Sequence, residues 1–164
     1  MRLLHTSDWH IGIKLQNFDY LPSQKEFAEW LLETVKSEDI DAVLISGDIF
    51  DRSLPSEESL RFADEVFVTL VSAGVKVVVI SGNHDSADRL NFCSKAMENA
   101  GLFIRTEKAN IAEIGEPIEI KKGNESVFII PIPYLDPTRV TEIGEAERSH
   151  GGLIAEILKQ RATE

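Results

Sequence analysis

Three short runs of mostly β-branched residues, each ending in a cluster of metal-capable polar side chains, constrain this chain more than any other feature. The runs are Arg2 to Thr6, Ala42 to Ser46 and Lys76 to Ser81. Continuous apolar stretches of this length suit strands buried on both faces, as in a parallel sheet covered by helices. Between the first two, Ser23-Gln24-Lys25-Glu26 has the form of a capping box and precedes Phe27, Trp30, Leu31 and Val35 at helical spacing. A helix from about Ser23 to Ser37 is expected there. Between the second and third, Ser56-Glu57-Glu58 leads into Phe62, Ala63, Val66, Phe67 and Leu70. Gly74 follows, where a helix end favours a left-handed residue. The order strand, helix, strand, helix, strand implies right-handed crossovers and a parallel sheet with helices packed upon it.

A third helix is expected from about Ala87 to Ala100, closed by Gly101 and followed by a strand from Leu102 to Arg105. Beyond Asn110 the pattern shortens. Ile111 to Ile114, Ile118 to Lys121 and Val127 to Ile132 read as antiparallel strands, punctuated by Gly115-Glu116-Pro117 and Lys122-Gly123-Asn124. A last helix covers about Glu145 to Arg161, its start blurred by Gly151-Gly152. The fold class is therefore α/β, with a parallel-strand N-terminal half and short antiparallel strands after residue 110. With 164 residues the chain has room for one well-buried domain. No apolar run approaches the roughly 20 residues that span a bilayer. His5 and Asp8 interrupt the N-terminal run before a signal-peptide core can form, so a cytoplasmic protein with no membrane partner is expected. Cys93, the single cysteine, excludes an internal disulfide; a small buried hydrophobe without chemistry is expected there.

The polar clusters are Asp8-Trp9-His10, Gly47-Asp48 and Gly82-Asn83-His84-Asp85. Asp-x-His alone is an ordinary loop and Gly-Asp an ordinary turn. Their common position carries the inference: all three stand at carboxyl ends of parallel strands, the edge where open α/β sheets bind ligands. Carboxylate, imidazole and amide donors without a thiolate suit a borderline-to-hard divalent ion such as manganese, iron or zinc. Gly47 and Gly82 are expected to let the backbone turn sharply as each strand delivers its ligand. A carboxylate bridging two cations roughly 3.5–4 Å apart clamps the attacking and leaving oxygens of a phosphoester, and Asp48 is the candidate bridge. The 28 acidic and 17 basic residues give a net charge of −11, which argues against broad non-specific adhesion to nucleic acid. Bound cations, a further segment or a partner would have to supply the positive surface.

The sequence resembles the calcineurin-like metallophosphoesterases and, within them, the SbcD-type nuclease subunits related to the Mre-type nucleases. The likeness rests on Met1-Arg2-Leu3-Leu4-His5-Thr6-Ser7-Asp8-Trp9-His10-Ile11-Gly12, Ser46-Gly47-Asp48-Ile49-Phe50-Asp51, Ser81-Gly82-Asn83-His84-Asp85-Ser86 and Ile130-Pro131-Ile132-Pro133-Tyr134. It implies a metallophosphoesterase-type layered α/β fold and a metal-dependent DNA exonuclease or endonuclease serving repair or recombination. It also implies two divalent ions, Mn2+ foremost with Mg2+, Fe2+ or Zn2+ as alternatives. The implied partners are DNA, an SbcC-like SMC-type ATPase, and a second copy of the parent protein. By position, the resemblance implies that Asp8 and His10 bind one metal, Asp48 bridges and Asn83 binds the second. His84 is then a non-ligand that protonates the leaving oxygen or stabilises its charge, with Asp85 orienting its ring.

Some relatives place a histidine where this chain has Asp51, a position linked to exonuclease action. The family's later Gly-His and Gly-His-x-His motifs, which supply three further histidine ligands, are absent. His150 lacks that pattern and is expected as a surface residue. Four side chains do not fill the roughly ten to twelve coordination positions of two such ions. Residues 1–164 are therefore expected to be the N-terminal portion of a single domain whose remainder is absent, with little or no activity alone. The alternative enzyme is a phosphodiesterase or phosphatase for a non-DNA substrate, because the metal motifs belong to the whole superfamily. The third reading is a non-catalytic dimerisation or docking module. Its signature would be exposure of Phe18, Trp30 or Phe67, each expected in the core.

Overall fold

In the computed structural model, which describes residues 1–162, the three apolar runs become neighbouring strands. Strand β1 (Leu3–Thr6) is followed by a small hairpin, β2 (Lys14–Leu15) and β3 (Phe18–Asp19), then helix α1 (Leu21–Ser37) and strand β4 (Ala42–Ser46). Helix α2 (Glu57–Ser72), strand β5 (Lys76–Ile80), single-turn helices α3 (Ala87–Leu90) and α4 (Ser94–Met97), and strand β6 (Leu102–Arg105) come next. A hairpin of β7 (Ile118–Lys122) and β8 (Glu125–Ile129) and a last helix α5 (His150–Arg161) complete the order. The main sheet runs β1-β4-β5-β6, and every neighbouring pair in it is parallel. Thr6 lies opposite Ile45 and Ser46 opposite Ile80, so the loops after β1, β4 and β5 leave from one edge.

Alternation along the strands divides the core between two faces. Val43, Ile45, Val77 and Val79 face the buried stripes of α1 (Leu31, Val35) and α2 (Phe62, Val66, Leu70). Ala42 and Val78 face the other way and are covered by Ile118 and Ile120 of β7. Each fully buried aliphatic side chain contributes about 1.5–3 kcal/mol, and both faces of the sheet that positions the strand-end loops carry such residues. A separate cluster of Ile111, Ile114, Leu135, Val140, Leu153 and Ile157 anchors α5. Among the described residues no helix is long and apolar enough to cross a membrane.

The mixed α/β class, the three helix-crossed strands, β6 and the β7–β8 hairpin match the sequence expectation. Ser56 caps α2 by accepting the Ser59 N–H, and Gly74 follows its end with φ +83°. Helix α1 begins earlier than expected, at Leu21, with Pro22 in its first turn and Asp19 Oδ1 accepting the Leu21 N–H. Ser23 and Glu26 therefore lie inside the helix and form no capping box. The expected third helix is broken. Asn91 closes the first turn and its side chain takes the Ser94 hydroxyl at 2.7 Å, a local bond that competes with helix continuation. Cys93 then adopts φ +58° and is exposed, which corrects the buried position expected for it. Ile111–Glu113 is a 3-10 turn rather than a strand, because Asn110 Oδ1 accepts the Ala112 N–H. The last helix starts at His150, which is exposed as expected, after Ser149 caps it through the Gly152 N–H. Phe67 is buried, but Phe18 and Trp30 are 62% and 56% exposed, against the core positions expected for both.

Candidate metal centre

A backbone ladder of three hydrogen bonds knits the first polar cluster to the second. Asp8 N–H donates to the Gly47 carbonyl at 3.1 Å, His10 N–H to the Asp48 carbonyl at 2.9 Å and Ile11 N–H to the Ile49 carbonyl at 2.9 Å. Asp8, His10 and Asp48 all sit at positive φ (+55°, +43° and +47°), a conformation uncommon outside glycine. Such strain persists only where surrounding contacts over-determine it. One such contact is Gln24 on α1. Its side-chain amide donates to the carbonyls of both Trp9 and His10 at 2.8 Å and accepts the Gly12 N–H at 3.0 Å. Gln24 was legible in the sequence only as part of an apparent cap, yet it clamps the loop that carries Asp8 and His10.

The second and third clusters meet through glycine contact and a carboxylate. Gly47 has the left-handed φ of +83° that the expected sharp turn requires. Gly82 has a different reason to be glycine: a Cβ there would lie 2.0 Å from Asp48 Oδ1 and 2.3 Å from the Asp48 nitrogen. Close approach, not turning, selects it. Asp85 is buried and its carboxylate accepts three backbone N–H groups, from Ile49 at 3.2 Å, Phe50 at 3.1 Å and Gly82 at 2.9 Å. The expected partner of the His84 ring is therefore otherwise engaged. His84 Nδ1 instead meets the carbonyl of Asp51 at 2.8 Å, and its backbone N–H donates to Asp48 Oδ1 at 2.9 Å.

The result is a convergence of three groups from three strand ends. One ligand-capable atom each from His10, Asp48 and His84 all lie within 4.8 Å of one another. His10 Nε2 stands 3.6 Å from Asp48 Oδ2, and the two imidazoles meet edge to face with centroids 4.8 Å apart. Asp8 lies on the His10 loop but does not join this tight group, and Asn83 lies on the His84 loop. Asn83 lines a polar cleft of about 270 Å³ with Ser81, Tyr134, Asp136 and Arg139, and the Tyr134 N–H donates to the Ser81 carbonyl at 2.9 Å. That bond ties the Pro-Ile-Pro-Tyr segment to the end of β5. The Asp51 carbonyl, and then the nearby carboxylates of Asp48, Asp51 and Asp85, raise the His84 imidazole above its ordinary value of 6.5 against a counteracting effect of burial. His84 is exposed, so this is a bias toward the protonated ring rather than a large store of stability.

The SbcD subunit of the SbcCD nuclease from Staphylococcus epidermidis is 37% identical over 121 residues, which cover 73% of this chain and 32% of the relative. The Staphylococcus saprophyticus protein of the same name is 28% identical over 159 residues, 96% of this chain and 41% of the relative. The Escherichia coli K12 protein of that name is 32% identical over 140 residues, 84% and 34% respectively. The chain thus matches between about a third and two fifths of the length of these curated relatives. The family model for calcineurin-like phosphoesterases matches residues 1–160, and with nearly the whole chain inside that match it belongs to the calcineurin-like phosphoesterase family.

Proposed function

We propose that this chain is the N-terminal portion of a metal-dependent nuclease domain that hydrolyses phosphodiester bonds in DNA. The observation that carries the reading is the convergence of His10, Asp48 and His84 within 4.8 Å at the carboxyl edge of a parallel sheet. The donor set is oxygen and nitrogen without thiolate, as hard and borderline divalent ions require. His10 Nε2 and Asp48 Oδ2 face each other at 3.6 Å, beyond ordinary hydrogen-bond range, as two donors to one ion would. In this proposal Asp8 and His10 hold one ion, Asp48 bridges and Asn83 holds the second, with Mn2+ the first candidate. A bound pair of divalent ions supplies Lewis-acid polarisation of the phosphoryl oxygens and a more acidic water. His84, with its Nδ1 held by the Asp51 carbonyl, presents its other nitrogen to protonate the leaving oxygen or stabilise its charge. Asp85 supports that geometry by holding the loops in register. The remaining donors come from sequence outside residues 1–164, and the isolated chain is weakly active or inactive.

The net charge of −11 assigns DNA affinity to the bound cations and to surface outside this segment. The relatives' name denotes a subunit of the SbcCD nuclease, which supports a second, SbcC-type subunit as partner; in this proposal that partner is an SMC-type ATPase and the setting is repair or recombination in the cytoplasm. The family resemblance supports a homodimer of the parent protein, and an apolar groove of about 590 Å³ between α2 and α3–α4, rimmed by exposed Leu54, Leu60, Val68 and Phe92, is a surface open to it. The alternative enzyme acts on a non-DNA phosphoester. Exposed Phe18 and Trp30 favour a further partner surface, but the metal-capable cluster weighs against a purely non-catalytic module.

The test uses a protein that carries this segment within a whole nuclease domain, with Mn2+, on linear double-stranded DNA and on p-nitrophenyl phosphate. DNA hydrolysis is expected to dominate, and preference for the monoester would sink the nuclease claim. His84→Ala is expected to lower turnover by about 10²–10⁴-fold while leaving Mn2+ binding intact; unchanged turnover would favour the non-catalytic reading.

A further inference from the structure

We propose that Asp51 is a positioning residue of the metal centre, one that fixes both imidazoles facing the candidate ion site. The inference rests on the metal reading above, and it concerns a residue to which the family resemblance gave no settled role. Two different parts of Asp51 are involved. Its backbone carbonyl accepts from His84 Nδ1 at 2.8 Å, and because a carbonyl can only accept, the proton of that ring sits on Nδ1. Its side chain addresses the other ring. Asp51 Oδ1 lies 3.8 Å from His10 Nδ1, and that nitrogen is buried with no hydrogen-bond partner among the described residues.

The orientation of His10 gives this spacing its meaning. Nε2 points at Asp48 Oδ2, 3.6 Å away, on the side where the ligand-capable atoms converge. Nδ1 points outward, at Asp51. An imidazole that binds a metal through one nitrogen almost always donates its other N–H to a carboxylate or carbonyl, which fixes the tautomer and the ring plane. Closing the gap from 3.8 Å to hydrogen-bond range needs a movement of about 1 Å. Asp51 is only partly exposed and its other oxygen lies 3.5 Å from Arg52 Nε, so the carboxylate is held on this side of the loop. With Nδ1 protonated toward Asp51, the Nε2 lone pair is directed toward Asp48. A single residue thereby sets the tautomer of His10 through its side chain and of His84 through its backbone.

The experiment titrates Mn2+ alone by calorimetry into a protein that carries this segment within a whole nuclease domain and into its Asp51 variants, and reads the imidazole tautomers of the metal-free proteins by long-range ¹H–¹⁵N NMR. Wild-type His10 is expected as the Nδ1–H tautomer. Asp51→Ala should shift it toward Nε2–H and weaken Mn2+ binding about 10–100-fold. Asp51→Asn, whose side-chain oxygen still accepts, should keep the tautomer and regain most of the affinity. His84 should keep its tautomer in both, because its partner is backbone. An unchanged His10 tautomer with unchanged affinity in Asp51→Ala overturns the proposal, as do equal losses in the alanine and asparagine variants, which would report charge alone. If the wild-type whole domain takes up no Mn2+, the metal reading fails, and the tautomer comparison by itself still decides the Asp51 contact. Should Asp51→Ala not fold, Asp51→Ser takes its place.

Discussion

Replacing Asp85 with alanine isolates the contact that joins two of the strand-end loops. Its carboxylate receives the N–H groups of Ile49 and Phe50 after β4 and of Gly82 after β5, with 36 residues of chain separating donor from acceptor in the first case. A buried N–H left without an acceptor costs about 1–3 kcal/mol. Two of the three bonds are buried and the third is partly so, and the two buried ones are long, at 3.1 and 3.2 Å. The loss for Asp85→Ala therefore works out at about 3–5 kcal/mol, a large fraction of the roughly 5–15 kcal/mol that stabilises an ordinary domain. Asp85→Asn keeps one oxygen, which can serve Ile49 and Gly82, but it turns an NH₂ group toward the Phe50 N–H. Its loss should fall between alanine and wild type. Urea unfolding, followed through the tryptophan fluorescence of buried Trp9, measures both. A loss below about 1 kcal/mol for alanine would refute the reasoning, since it would mean that the amides find other partners at little cost.

Three further outcomes are expected. Gln24→Met keeps the length of the side chain but removes its three bonds to the Trp9–Gly12 loop, so it should cost about 1–3 kcal/mol in thermal unfolding and weaken Mn2+ binding in calorimetry; wild-type affinity would show that the clamp does not shape the site. Gly82→Ala places a methyl group against the Asp48 backbone and carboxylate, and the overpacking should cost about 3 kcal/mol by urea midpoint, whereas a neutral result would contradict the close approach. Asp41 is held below its ordinary value of 3.8 by Lys122, at 2.7 Å, and by the Arg2 N–H. A depressed carboxylate contributes stability above its unfolded pKa and loses it as pH falls through the folded one. The stability gap between wild type and Asp41→Asn should thus be full at neutral pH and shrink below about pH 4; a gap that is constant with pH would refute the assignment.

Much of the architecture was legible because it follows from local rules. Runs such as Ala42 to Ser46 are apolar on both faces, and Ser56 and Gly74 mark the ends of α2 with residues whose preferences are intrinsic. A parallel sheet then delivers Asp8, His10, Asp48, Asn83 and His84 to one edge, since successive parallel strands share their carboxyl ends. What sequence could not reveal depends on contacts between distant residues. Gln24 resembles a cap in sequence but acts as a clamp, because the helix starts at Leu21 and turns that side chain toward the His10 loop. Asp85 looks like a partner for its neighbour His84, yet its oxygens are nearer the amides of Ile49 and Phe50. Phe18 and Trp30 have the composition of core residues and stand exposed, because burial is decided by what packs above a residue and not by its own hydropathy. Sequence by itself determined which side chains reach the sheet edge. Only the tertiary structure decided which of them touch, because sub-ångström hydrogen-bond geometry across 36 residues of chain is a property of packed backbones rather than of any local pattern.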